Sequence, residues 1–145
     1  MSRSGVITTI KSTLDGVSSP TFQAIFIGEP LSLPTGDRVA ASWFGGEVTK
    51  SKTLGNVMVT QQWVVRCYFR VQASQENREK IELEIWNACR SVQTAFRADS
   101  QLGGNCTDLE ISIADVGWTT IGGVTFRALS FNLELYELEA EAIAP

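Results

Sequence analysis

The chain of 145 residues contains no histidine. Imidazole is the commonest general base and metal ligand in proteins, so its absence argues against hydrolytic triads and zinc chemistry. The three cysteines, Cys67, Cys89 and Cys106, are an odd number at spacings that match no zinc site. Cys67 and Cys89 fall at apolar positions of a predicted strand and a predicted helix, which favours core packing. We therefore expect neither an enzyme nor a protein that binds a metal or a cofactor.

Long apolar runs and basic stripes are also missing. No segment approaches the roughly 20 apolar residues of a membrane span, and residues 1–10 lack the apolar stretch of a signal peptide. We therefore expect a soluble protein, made in the cytoplasm, without membrane contact. The 12 basic residues are spread thinly from Arg3 to Arg127, and the formal net charge is −4. Since no basic stripe can neutralise many phosphates, sequence-specific nucleic-acid binding is disfavoured.

Three segments alternate apolar and polar residues with a period of two, which predicts strands with one apolar face. They are residues 56–71, 108–116 and 128–137. The apolar face of the first segment includes Val57, Val59, Trp63, Val65, Cys67, Phe69 and Val71. Something must cover these three apolar faces, and Trp63 should lie in the resulting core.

Two helical stretches are available to cover the apolar faces. Residues 4–14 place apolar side chains at i, i+3 or i+4 and i+7. Residues 75–98 predict a longer amphipathic helix, whose apolar stripe is Ile81, Ile85, Ala88, Cys89, Val92 and Phe96. Leu83 and Trp86 flank this stripe. They form either the rim of the core or an anchor for an interface.

The remaining apolar segments predict the other strands, and the order of all the elements predicts the fold class. Residues 21–27 and 39–44 predict two further strands, and residues 124–137 return from a glycine-rich hairpin tip at 117–123. The order is helix, strand, strand, long strand, helix, strand, strand. This order predicts one α+β domain over residues 1–145, with a mostly antiparallel sheet of about four to five strands and helices packed on one face.

Two polar segments are candidates for contacts outside the core. Residues 45–55 are rich in glycine and polar side chains, which predicts an extended hairpin or a mobile loop, a flexible arm. The arm is either a surface loop without function or a segment that orders on a partner, through residues such as Lys50 and Lys52. Four C-terminal glutamates predict a solvated strand edge and a tail at 139–145: Glu134, Glu137, Glu139 and Glu141.

The second face of the predicted sheet is polar. It carries Arg66, Tyr68, Arg70, Glu110, Asn132, Glu134 and Tyr136. Opposite charges on this face can pair within the sheet or across a subunit boundary. The candidate interface residues are therefore Lys50, Lys52, Arg66, Arg70 and Glu134, with the helix edge at Leu83 and Trp86 as the alternative.

The organisation of the chain resembles the small tail terminator and tail completion proteins of long-tailed bacteriophages, of the lambda type. The likeness rests on the N-terminal helix, the polar arm at 45–55 and the strand ending in Arg66-Cys67-Tyr68-Phe69-Arg70-Val71. The helix at 75–98 and the final hairpin, with Phe126-Arg127-Ala128-Leu129 and the strand that follows, extend it to nearly the whole chain.

The resemblance implies a structural virion protein at the head-tail junction. Such proteins close into a six-fold ring on the last ring of the tail tube, end its polymerisation and present the surface that the head connector joins. The implied partners are other copies of the chain, the major tail tube protein and the head-tail connector. DNA passes through the channel without sequence recognition, and the C-terminal glutamates can contribute to an acidic wall that avoids phosphate contacts.

Two alternatives remain open at this point. One is another neck, connector or tail-tube subunit. The other is a small ligand-binding or enzymatic α+β domain, which needs a pocket with convergent polar groups.

Overall fold

The computed structural model describes residues 3–30, 36–53, 55–71 and 75–140, with side chains at all of these positions except 3, 51–53, 75 and 140. Seven elements follow one another along the chain: α1 (Arg3–Asp15), β1 (Ala24–Ile27), β2 (Arg38–Thr53), β3 (Asn56–Arg70), α2 (Gln75–Ala98), β4 (Asp108–Ile121) and β5 (Val124–Ala140). This is the predicted order, and α2 has the predicted bounds.

The five strands form one mixed sheet in the order β1-β2-β3-β5-β4. β1 pairs with β2 in parallel, and the other three pairs are antiparallel. The prediction of an α+β fold with a mostly antiparallel sheet is therefore confirmed. Because β1 and β4 lie at the two ends of the order, the sheet has two chemically different edges.

Both helices pack on one face of the sheet, as the sequence predicts. α1 contributes Val6, Ile10 and Leu14 to the core, and α2 contributes its predicted stripe, with Cys89 partly buried at the margin. The facing strand residues are the odd-numbered ones of β3 and β5, which include Trp63, Val65, Leu129 and Phe131. We call this side the helix face of the sheet.

Residues 45–55 belong mostly to strands rather than to a loop. β2 pairs with β3 from Arg38 opposite Phe69 to Thr53 opposite Asn56, with irregularities at Gly45 and Lys52. β5 runs beside β3 as far as Ala140 opposite Asn56, so a third strand braces the hairpin. The extended hairpin is therefore confirmed, and the mobile loop is not what the structure shows. Residue 54 and the tail residues 141–145 lie outside the described residues, whereas Glu139 lies in β5.

The second face of the sheet is less polar than the alternation predicts. Tyr68 was expected on a solvated surface, but it is fully buried in a small cluster with Val39, Ala41, Phe126 and Ala128. Its ring packs edge-on against Phe126, with ring centroids 6.1 Å apart. β2 and β5 both place apolar residues on this face next to Tyr68, and the alternation of β3 alone does not reveal those neighbours.

Candidate interaction surfaces

One edge of the sheet carries a row of exposed apolar side chains on the helix face. α2 contributes one of them and the edge strand β4 contributes three: Trp86, Ile113, Val116 and Trp118. Trp86 is 78% exposed and Trp118 is 59% exposed. We call these four residues the edge strip. Large exposed apolar patches on a soluble protein mark surfaces that contact another molecule.

A bulge in β4 brings the strand residues of the edge strip together. The register against β5 shifts between Ile113 and Asp115, so one extra residue reverses the alternation. Beyond the bulge, Val116 lies opposite Leu129 of the core. Val116 and Trp118 therefore lie on the helix face with Ile113, rather than on the face of Asp108 and Glu110.

The indole of Trp118 is held in place by a charged pair. The Arg127 guanidinium lies over the Trp118 ring, 4.8 Å from its centroid. Arg127 Nε also donates to Glu82 Oε1 of α2 at 2.9 Å, and its Nη1 donates to the Gly117 carbonyl. Arg127 lies on β5 and contacts both β4 and α2, so it fixes the two elements of the edge strip relative to each other.

Basic side chains border the other half of the edge strip. A surface cleft of about 410 Å³ lies between α2 and β4, and Trp86 and Ile113 line it. Arg90 and Arg97 line the same cleft. The Nη2 group of Arg97 donates to the Ile111 carbonyl at 3.3 Å, which holds its guanidinium beside β4. The cleft lining contains two arginines and no carboxylate.

The opposite edge of the sheet carries an apolar notch. β1 ends at Ile27, opposite Ser42 of β2. Within the described residues no strand pairs with the outer side of β2 beyond that point. The resulting depression has a volume of about 430 Å³ and is lined by Ile7, Ile27, Gly28, Trp43, Phe44, Gln61 and Trp63. We call it the Phe44 notch, because Phe44 is 51% exposed in it.

Contacts within the chain fix the walls of the Phe44 notch. The rings of Phe44 and Trp63 pack edge-on, 5.7 Å between centroids. The Trp63 indole N–H donates to Gln61 Oε1 at 3.1 Å, and Gln61 Nε2 donates to Glu47 Oε1 at 3.2 Å. These bonds place an exposed carboxylate beside the notch.

The polar face of the sheet holds a third surface, an open concavity of about 580 Å³. Glu110 and Glu134 lie directly opposite each other on β4 and β5. The Tyr136 hydroxyl is within hydrogen-bond distance of both carboxylates and donates to Glu134. That bond and partial burial raise the pKa of Tyr136 above its usual range. Lys50 is the one cation in the lining.

Replacing Tyr136 with phenylalanine is expected to lower the free energy of unfolding by about 1 kcal/mol at neutral pH. The facing carboxylates of Glu110 and Glu134 would lose the hydroxyl between them, and like charges directly opposite destabilise a sheet. Urea denaturation measures the change. Adding Glu110→Gln to Tyr136→Phe should restore part of the loss. If the double variant is as unstable as Tyr136→Phe alone, repulsion between the Glu110 and Glu134 carboxylates does not cause the loss.

The raised pKa of Tyr136 also predicts a response to alkaline pH. The folded chain holds this proton more tightly than the unfolded chain, whose tyrosines titrate near the ordinary value of 10.0. The protonated Tyr136 hydroxyl therefore adds to the free energy of unfolding. This stabilisation is fully present below pH 10.0 and is lost as the pH rises further. We expect wild-type stability to fall more steeply above this pH than that of Tyr136→Phe.

The candidate interface residues from the sequence fall in different environments. Lys50 is exposed, and the side chain of Lys52 lies outside the described residues. Arg66 is engaged within its own chain, because its Nε donates to Ser130 Oγ at 2.8 Å and its guanidinium stacks on Trp43. Arg70 is exposed at the end of β3.

Arg66 and Glu134 lie too far apart on the polar face to pair with each other within the sheet, and pairing across a subunit boundary stays a prediction. Glu134 lies opposite Gln62 of β3, four residues along the strand from Arg66. Such a separation corresponds to roughly 13 Å along the strand. Glu137 and Glu139 lie opposite Val59 and Val57, on the helix face, because β5 alternates. The C-terminal glutamates are thus divided between the two faces.

Leu83 and Trp86 are placed differently from the preferred prediction. They were expected at the rim of the core, and both are instead well exposed. Leu83 is about 200° around the helix from Ile81, and Trp86 is about 100° from Ile85. Leu83 therefore points away from the sheet, and Trp86 points over the edge strand, where it lines a cleft with Ile113. The interpretation as an interface anchor therefore fits better.

Two of the three cysteines lie away from these surfaces, and the third, Cys89, lines the cleft beside Trp86, where partial burial raises its thiol pKa. Cys67 and Cys106 are buried, and burial raises their thiol pKa, to about 11 for Cys106. Among the described residues, no cysteine or carboxylate cluster is arranged to hold a metal ion. The described helices include none with the length and apolar character needed to cross a membrane.

Comparison with known proteins gave no match to any protein-family model or to any curated protein sequence.

Proposed function

We propose that this chain is a structural subunit that associates head to tail into a ring at the end of a phage tail tube. One observation carries the proposal: two different exposed apolar surfaces, the edge strip and the Phe44 notch, lie on opposite edges of one sheet. A closed ring needs two different complementary patches on each subunit. The resemblance to tail terminator proteins supplies the biological setting and the six-fold symmetry.

The polar face and the braced hairpin are the proposed surfaces for the other partners. The end of the hairpin formed by β2 and β3 would contact the last ring of the tail tube. Lys50 supplies exposed positive charge near that end. On the polar face, Arg70 lies at the other end of β3, and Glu110 and Glu134 supply negative charge. The acidic concavity, turned toward a central channel, would let DNA pass without phosphate contacts. The head connector would join the free side of the ring.

A tube-growth assay tests the terminating role. The purified chain is added in increasing amounts to polymerising tail tube protein, and tube length is measured by electron microscopy. We expect shorter tubes that carry the chain at one end only. A neck or tail-tube subunit gives a different result, because a tube subunit is incorporated along the length and a connector leaves the length unchanged. Tubes of normal length without bound chain would overturn the proposal.

A further inference from the structure

We propose that the ring contact is edge to edge: the edge strip of one copy seats on the Phe44 notch of the next, and Trp86 enters the notch. This inference rests on the proposed ring and assigns its interface. The partner that the edge strip binds is therefore a second copy of this chain.

Shape and polarity match between the two surfaces. Trp86 projects from α2 with 78% of its surface exposed. The Phe44 notch is about 430 Å³ in volume and has aromatic walls formed by Phe44 and Trp63. Aromatic side chains prefer edge-to-face or offset contacts with other rings. A tryptophan that fills a desolvated pocket is also the commonest kind of anchor in protein interfaces.

Charge is complementary at the rims of the two surfaces. Arg90 and Arg97 border Trp86 on the edge strip. Glu47, bonded to Gln61 of the wall, borders the notch. Seating Trp86 in the notch brings positive and negative rims together. Such pairs steer association and disfavour a strip-to-strip contact, in which arginines would face arginines.

Both surfaces are preorganised in the single chain. Arg127 lies over the Trp118 ring and is bonded to Glu82 of α2. The Trp63 indole N–H donates to Gln61. Little side-chain freedom remains to be lost at these positions when the copies associate. The contact also covers the exposed apolar residues of the long edge strand β4. An uncovered apolar edge strand can pair with strands of other chains and cause aggregation.

Photo-crosslinking from position 86 tests the contact directly. A benzophenone amino acid replaces Trp86, and the protein is mixed with an isotopically labelled copy, so that peptides joined between copies carry both labels. After irradiation and tryptic digestion, we expect the crosslink on a peptide that lines the notch. These peptides are 39–50 with Phe44, 53–66 with Gln61 and Trp63, 12–38 with Ile27, and 4–11 with Ile7. Asn87 is the matched control, because the next helix position points about 100° away.

Binding strength provides the second readout. Trp86→Ala should weaken association of the chain about 30-fold, as expected for an interface anchor. Asn87→Ala and the charge reversal Arg70→Glu, on the polar face, should leave self-association unchanged. Sedimentation equilibrium measures all three. Unchanged association of Trp86→Ala, or crosslinks from position 86 only to peptides that do not line the notch, would overturn the assigned contact.

The outcomes separate this contact from the proposed ring. If the chain shortens tubes but position 86 crosslinks elsewhere, or Arg70→Glu alone dissociates the copies, the ring stands and its interface lies on the polar face. If the wild-type chain neither self-associates nor shortens tubes, both the ring and the contact are wrong.

Discussion

Trp63→Ala is expected to lower the free energy of unfolding by about 3–5 kcal/mol, the usual loss when a buried aromatic residue is truncated. Trp63 is only 5% exposed and lies on the helix face in the core beneath both helices. Its ring supports Phe44, and its indole N–H is bonded to Gln61. Domains of this size have about 5–15 kcal/mol in total, so little soluble protein should remain at 37 °C.

Trp86→Ala is the matched control for that substitution. It removes the same side chain from a position that is mostly exposed, so the free energy of unfolding should stay within about 0.5 kcal/mol of wild type. Guanidinium denaturation followed by far-ultraviolet circular dichroism compares the two variants. If Trp63→Ala folded normally and Trp86→Ala did not, the assignment of one tryptophan to the core and the other to the surface would be reversed.

The alternation of β3 was enough to predict the core, because a strand's backbone places alternate side chains on opposite faces whatever their chemistry. Trp63, Val65, Cys67 and Phe69 are buried on one face, as predicted. The stripe of α2 was equally predictable from its period. The order and type of all seven elements follow from these two periodicities and the glycine-rich breaks between them.

The edge strip could not be predicted in full, because it depends on a bulge. The alternation from Asp108 to Ser112 places even-numbered residues on the polar face, and the extra residue Ala114 moves Val116 and Trp118 to the helix face. Gly117 also favoured a hairpin tip, whereas β4 continues to Ile121. An alternation pattern carries no signal for a register shift that the neighbouring strand accommodates.

The Phe44 notch was missed because it depends on where one strand ends beside another. Ile27 ends β1 opposite Ser42, and β2 continues past it for eleven residues to Thr53. Gly45-Gly46 favoured a loop at this point, although the glycines only accompany an irregularity in β2. Leu83 and Trp86 were recognisable as a pair. Whether Trp86 is covered depended on the sheet ending at β4, which is a property of the strand order.

A mixture of two blocked variants is expected to assemble into dimers and no further. Trp86→Glu blocks the edge strip with a negative charge that faces the acidic rim of the notch, and Phe44→Glu blocks the notch. Each variant keeps one intact surface but lacks the complementary one, so each alone should be monomeric where wild type forms rings. Mixed in equal amounts, the intact strip of one should bind the intact notch of the other.

The dimer is the expected end point because its two remaining surfaces are both blocked. Native mass spectrometry distinguishes the species, since the wild-type chain has a mass of 15.9 kDa. Circular dichroism confirms that Phe44→Glu, which contacts Trp63, is folded. A strip-to-strip contact predicts a different pattern: Phe44→Glu would pair with itself, and adding Trp86→Glu would change nothing. Only a head-to-tail contact between two different edges makes association depend on having both variants in the mixture.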